Sequence, residues 1–213
     1  MTDAPRPKGK YVYPTWITKL LAGENKCWYS AWFKAAFQYE KRPDDPARKD
    51  FFAEYNVRHD TIVRHRALEL KLEGWNLKVE KEGSFRVRGG NGVISGIPDI
   101  VAMRGEEALI VEVKSGKPRQ SDHWQALLYV MLLPMDWLRG FGTVRGEVAY
   151  RDQTVDVRPL KAEEKEKIGA ALRLVTGPDA PVAVPSKVEC GYCDIANCQF
   201  RYPELEGSAG GMF

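Results

Sequence analysis

The sequence predicts an α/β (α+β) domain in which a central mixed β-sheet is flanked by helices. Three observations carry that expectation. Sequence periodicity runs helices, strands, helix, strands, helix, which suits a sheet covered by helical layers. The 213 residues, 44% hydrophobic and 29% charged, suffice for one packed globular core. Cys27 stands near one end of the chain and Cys190, Cys193 and Cys198 near the other, so a shared ligand would join the two terminal segments.

Taken in order, the first dozen residues are polar and rich in Pro and Lys, the composition of a loosely held arm. "WITKLL" (16–21) has helical spacing, and "CWYSAWFKAAFQYE" (27–40) reads as a helix with a broad apolar face. Pro43 stops it, and Pro46 suits the first turn of a long helix over 47–73 that ends at Gly74. Its apolar positions Phe51, Tyr55, Ile62, Leu68 and Leu72 recur at roughly helical intervals. After Gly74 the period shortens, and residues 75–116 read as a meander of about four strands split by Gly-containing turns. "RQSDHWQALLYVMLLP" (119–134) returns to helix, with Ser121 as its N-cap and Pro134 just past its end. Strands "RGEVAYR" and "QTVDVRPL", the helix "KAEEKEKIGAALRLV" and a Pro-rich stretch lead to the cysteines. Residues 1–205 are expected to form one unit, with 206–213 a flexible tail.

No apolar run reaches the roughly 18–20 residues of a membrane span, and the N-terminus lacks a signal-peptide core. A cytoplasmic protein with no membrane partner is expected. Lys and Arg number 32 against 29 Asp and Glu, a net charge of +3. That balance permits nucleic-acid binding only through a local basic footprint.

The most informative stretch is "GIPDIVAMRGEEALIVEVKSGK", residues 96–117. It reads as two apolar strands joined by a polar turn, yet Asp99 opens the first and Glu112 and Lys114 sit near the end of the second. Side chains two apart in a strand share a face, so Glu112 and Lys114 project together. If the strands form a hairpin, both carboxylates meet at one sheet edge. With the Val113 carbonyl they make a hard oxygen site suited to Mg²⁺ or Mn²⁺. A lysine beside them can orient a water for attack on phosphorus and steady the charge that develops. An arbitrary E-x-K in a strand is more often a surface salt bridge; the Gly-Ile-Pro-Asp ahead of it shifts the balance.

"GIPD" followed by "EVK" resembles the PD-(D/E)XK nuclease superfamily, which implies a restriction-endonuclease-like fold. The resemblance makes Asp99 and Glu112 metal ligands with the Val113 carbonyl, and Lys114 the residue that positions the nucleophilic water. Gln125 and Tyr129, four apart on the following helix, resemble the Q-x3-Y signature of RecB-like nucleases, where both support the active site and contact DNA. That branch carries a histidine metal ligand upstream, often in G-x-x-x-H. "TIVRH" makes His65 the candidate, with Thr61 in place of the glycine. His59 is the rival, six residues earlier on another helix face, and His123 reads as a bystander or DNA contact.

Cysteine spacing is C-x2-C-x4-C plus Cys27. Four thiolates fit either Zn²⁺ or an iron–sulfur cluster. One cysteine before the nuclease motifs and three after them is similar to the RecB-like iron–sulfur branch, including the AddB nuclease domain and the fourth core CRISPR-associated protein, although the second gap there is commonly one residue longer. The resemblance implies a [4Fe-4S] cluster of structural role, with zinc the alternative. Lys117 and Arg119, directly after the lysine strand, are the candidate phosphate contacts. Trp28, Trp32, Trp124 and Tyr129 are aromatics able to stack on bases, though most such residues are core. The resemblance implies a metal-dependent deoxyribonuclease, a single-stranded-DNA exonuclease in CRISPR adaptation (antiviral defence) or in recombination and DNA repair. An integrase or recombination partner would accompany it. The alternatives are a catalytically weak DNA-binding or assembly module and an RNA-directed enzyme.

Overall fold

The computed structural model of the protein describes residues 4–6, 9–43, 46 and 49–203. The expected tail at 206–213 and the first two residues expected of the long helix, 47 and 48, lie outside these. Among the described residues eight strands form two sheets. The larger has the order β2 (Asn76–Val79), β5 (Ile100–Arg104), β6 (Glu107–Val113), β7 (Thr143–Ala149), β8 (Thr154–Val157). β6 and β7 run parallel and the other neighbours antiparallel, so the sheet is mixed. The smaller sheet orders β1 (Tyr11–Val12), β4 (Gly92–Gly96) and β3 (Phe85–Gly89).

β6 lies at the centre because its sequence tolerates burial on both faces. "ALIVEV" is a near-continuous apolar run, the composition of a strand with a parallel neighbour and helices above and below. Gly105, at φ +59° in the two-residue link from β5, takes the backbone conformation that such a hairpin requires. One face of the sheet, with Val101, Ala108 and Ile110, packs under α1 (Thr18–Leu21), α4 (Gln120–Leu132) and α5 (Ala162–Thr176). On the other face Ile100, Leu109, Val111 and Val113 meet Val63 and Leu70 of α3 (Lys49–Leu72). α2 (Trp28–Ala36) and α6 (Lys187–Tyr192) bring the two ends of the chain together around Tyr29, Trp32, Phe33 and Ile195.

Several expectations change. The stretch after Gly74 holds five strands divided between two sheets, because the turn at Gly96–Pro98 hands the chain from β4 to β5 in the other sheet. The N-terminal arm is partly built in: Tyr11 and Val12 pair in parallel with Val93 and Ile94. "WITKLL" becomes a single 3₁₀ turn, Pro14–Trp16, followed by the short α1. Ser121 is not the N-cap of α4; it lies inside the first turn, where its N–H and hydroxyl both donate to Glu24. That acid suits the positive end of the helix. Among the described residues no helix is long and apolar enough to cross a membrane.

α3 buries few side chains of its own, and its phase is set by one ion pair. Arg66 donates from Nε and Nη2 to both oxygens of Glu147 on β7, at 2.7 and 2.8 Å, and Glu147 is buried. Removing one member of such a pair leaves an uncompensated charge. Arg66→Ala is expected to lower unfolding free energy by about 3–5 kcal/mol, whereas Arg66→Met with Glu147→Leu recovers most of it; chemical denaturation of the three proteins measures both.

Candidate active site

β5 and β6 pair so that Ile100 faces Val111, and the next step of that register sets Asp99 opposite Glu112. The Val113 N–H donates to Asp99 Oδ2 at 2.6 Å, closing the ladder with a side chain where the backbone of β5 turns away. Main-chain Val113 therefore enters the site through its N–H, and its side chain is fully buried on the α3 face. Glu112, 3% exposed, lies on the α4 face with Lys114.

A chain of hydrogen bonds links that face to α4. Lys114 Nζ donates to Glu112 Oε1 at 2.6 Å and to Gln125 Oε1 at 3.1 Å. Gln125 Nε2 donates to the Tyr129 hydroxyl at 3.1 Å, and that hydroxyl in turn reaches the Ile97 carbonyl. The four-residue spacing stacks Gln125 above Tyr129 on one helix face. Gly96 makes the arrangement possible: a Cβ there would lie 2.8 Å from Phe85 and 2.9 Å from Tyr129. Tyr129 is buried and holds the site in place from behind.

One oxygen is left over. Glu112 Oε2 is buried with no hydrogen-bond partner, a costly condition for a carboxylate. Burial, and then the charge of Asp99, push the Glu112 carboxyl up to about 8, against the opposing pull of Lys114 and His59. Burial alone would lower the Lys114 ammonium, but the charge and hydrogen bond of Glu112 raise it on balance. Lys114 is thus a fixed cation with three donors, two of them engaged.

His59, not His65, sits beside the carboxylates. Its Nε2 lies 3.5 Å from Asp99 Oδ1, and that contact raises the ring's affinity for a proton, against burial. The His65 side chain is 75% exposed and faces Glu69, lining a separate cavity with Arg66, Arg151 and Asp152. Six residues of α-helix separate the two histidines by about 120° around the axis, and the inward phase is fixed by Val63, Leu70 and Arg66. Tyr55, one turn before His59, shares its face. Sequence alone offered His59 as a rival; the ion pair that chooses between them is long-range.

A cleft of about 680 Å³ opens over these groups, lined by Asp99, Glu112, Lys114, Gln125 and Tyr129 and by Tyr11, Tyr13 and Arg86. Tyr11 and Tyr13 were missed in the sequence, although "YVYP" carries the period-2 signal of a strand, and Arg86 stood there only as one basic residue among several near the motifs. Trp32, Trp28 and Trp124 do not line it. Trp32 donates to the Gly177 carbonyl, Trp28 packs against the main core, and Trp124 lies against Lys167. Lys117 is exposed on the loop after β6, and Arg119 borders a second cavity with His123, Tyr150 and Arg158.

All four cysteines line one further cavity of about 180 Å³ with Lys19, Lys34, Glu189 and Arg201. Their sulfurs are not drawn into a closed ligand set, and among the described residues no three His, Cys, Asp or Glu side chains converge that tightly. Neighbouring contacts tie the ends together. The Glu189 carboxylate accepts from the N–H groups of Lys26 and Cys27, and Cys190 Sγ accepts from the Tyr202 N–H at 3.3 Å. Burial, with the nearby Cys193 and Cys27, raises the Cys198 thiol.

Asp99 faces Glu112 across the strand register and meets the imidazole of His59, although among the described residues no three such side chains converge closely enough to hold a metal ion. A divalent cation drawn to these carboxylates would compete with protons on Glu112 and His59, whose affinities for them are both raised in the folded state. The stability these protons lend is complete below about pH 4.5 and is lost as pH rises through about 8. In chelator the melting temperature should fall across that window, and added Mn²⁺ should raise it more at about pH 8.5 than at about pH 6. Thermal melts with and without Mn²⁺ measure this; an increment independent of pH would contradict it.

Against known proteins, a family profile of the PD-(D/E)XK nuclease superfamily matches residues 19–198. No curated protein matches the sequence. Among solved structures, one titled "Crystal structure of SSO0001" is similar over 88% of this chain and 84% of its own, at 18% identity and a TM-score of 0.41. The family profile spans the strands, the hydrogen-bonded lysine and the helix that supports it, and the chain belongs to the PD-(D/E)XK nuclease superfamily.

Proposed function

We propose that this protein is a divalent-metal-dependent deoxyribonuclease acting on single-stranded DNA, from its ends, in CRISPR adaptation or in recombination and repair. The observation that supports the nuclease chemistry best is the buried Glu112 carboxylate, bonded through one oxygen to Lys114 and unpartnered at the other. Asp99, Glu112 and His59 would hold the cation, with the Val113 carbonyl beside them. When bound, a divalent cation supplies Lewis-acid stabilisation of charge on the phosphoryl oxygens.

The chain's own residues do the rest. Lys114, held as a cation, has one N–H beyond those given to Glu112 and Gln125. That donor is placed to orient the attacking water or to stabilise the pentavalent phosphorus as charge builds. Gln125 fixes the Lys114 rotamer, and Tyr129 fixes Gln125. Lys117 and Arg119, on the loop that follows, are proposed phosphate contacts.

The cysteine cavity is proposed to hold a [4Fe-4S] cluster, with zinc the alternative; all four thiols line it, and binding would have to draw their sulfurs together. Its role is structural, joining α2 to α6, and residues 1–205 then behave as one folded unit.

The test uses protein purified without oxygen, analysed for iron, inorganic sulfide and zinc, then incubated with end-labelled linear and circular single-stranded DNA and Mn²⁺. Linear DNA should be degraded and circles spared. Glu112→Ala and Lys114→Ala should each cost at least about 10²-fold in rate, and His59→Ala far more than His65→Ala. Binding that persists in chelator with no cleavage on adding Mn²⁺ would favour the DNA-binding or assembly module. Faster cleavage of an RNA strand would reassign the substrate.

A further inference from the structure

We propose that the N-terminal strand β1 forms a base-stacking subsite that selects unpaired nucleotides for the cleft. This deepens the nuclease reading above and rests on it. Tyr11 and Tyr13 flank Val12, which is buried, so strand alternation places both rings on the opposite face. Both line the same cleft as Asp99, Glu112 and Lys114.

The rings form a continuous edge. Tyr11 and Tyr13 lie 5.0 Å apart, edge to face, and Tyr13 meets Trp16 at 5.0 Å in the same manner. The far member is held by the fold: Trp16 is half-buried against the main core. Tyr13 is 44% exposed, unusual for a tyrosine pinned on both sides by other rings. Cations accompany the edge, with the Arg86 guanidinium 5.9 Å from the Tyr11 ring centre and that of Arg6 5.8 Å from Trp16. Rigid aromatic faces alternating with cations are what a single strand needs: π-surface for bases and charge for phosphates.

A paired base in a duplex has both faces covered by its neighbours and cannot reach Tyr13. An unpaired base can, while its phosphate lies toward Lys114. The cleft volume of about 680 Å³ falls in the ordinary range for ligand sites. The subsite therefore reads the absence of pairing rather than sequence, since every base has a π-face.

The experiment measures fluorescence-anisotropy affinities in chelator for a labelled oligothymidine and for an abasic strand of equal length. Tyr13→Ala should weaken oligothymidine binding about fivefold or more and leave the abasic strand unchanged. Tyr13→Phe, which keeps the ring, should match the wild type. If Tyr13→Ala leaves the preference for oligothymidine over the abasic strand unaltered, or weakens both strands equally, the subsite is overturned. Wild-type hydrolysis of bis(p-nitrophenyl) phosphate with Mn²⁺ is measured alongside. Its absence would sink the nuclease reading, while the affinity comparison still decides the subsite.

Discussion

The Glu112 carboxylate is buried in the middle of the molecule, and only one of its oxygens has a partner in the chain. An isolated buried charge costs several kcal/mol after relaxation. The Lys114 ammonium offsets part of that, and burial together with the charge of Asp99 raises the carboxyl's affinity for a proton. Nearly everything nearby serves to keep this unstable arrangement in place. β6 must be apolar on both faces to sit at the sheet centre, and the register with β5 must bring Asp99 across. Gln125 must hold the lysine from α4, and Tyr129 must hold Gln125. The result is a buried carboxyl that holds its proton more tightly than usual beside a second carboxylate and a fixed ammonium.

The fold isolates that carboxyl from the two ends of the chain and yet connects them. The segment from Tyr11 to Trp16 is a wall between two cavities: Thr15 lines both the cleft over Glu112 and the cysteine cavity. β1 is only two residues long and would be marginal by itself. Its anchors are the ladder with β4, the core contacts of Trp16, and Lys10, which reaches the Gly177 carbonyl. A ligand holding the four thiols would stiffen the same segment.

The strands that carry Asp99, Glu112 and Lys114 were legible in the sequence because their information is local. Period 2 sets the Glu112–Lys114 face, the helical period sets Gln125 and Tyr129, and a short turn ensures that the strands pair. His59 was not resolved from His65, because helix phase depends on Arg66 meeting Glu147, 81 residues away. The tyrosine edge was passed over because the Pro- and Lys-rich residues before it suggested a loose arm, while its pairing partner β4 lies about 80 residues on. Likewise the five strands after Gly74 could be counted only approximately, and their division between two sheets follows from long-range pairing. Cysteine spacing pointed to a meeting of the ends through a shared ligand; the structure brings them together through Glu189 and an aromatic cluster, with the sulfurs not drawn into a closed set.

Glu112 Oε2, Asp99 and His59 are proposed to close around a divalent cation. The most direct measurement is anomalous diffraction from a crystal grown with Mn²⁺ at about pH 8, where the Glu112 carboxyl can ionise. A peak bonded to Glu112 Oε2 and Asp99, with His59 turned onto it, is the expected result. Manganese at His65 and Glu69, with none at Glu112, would contradict it.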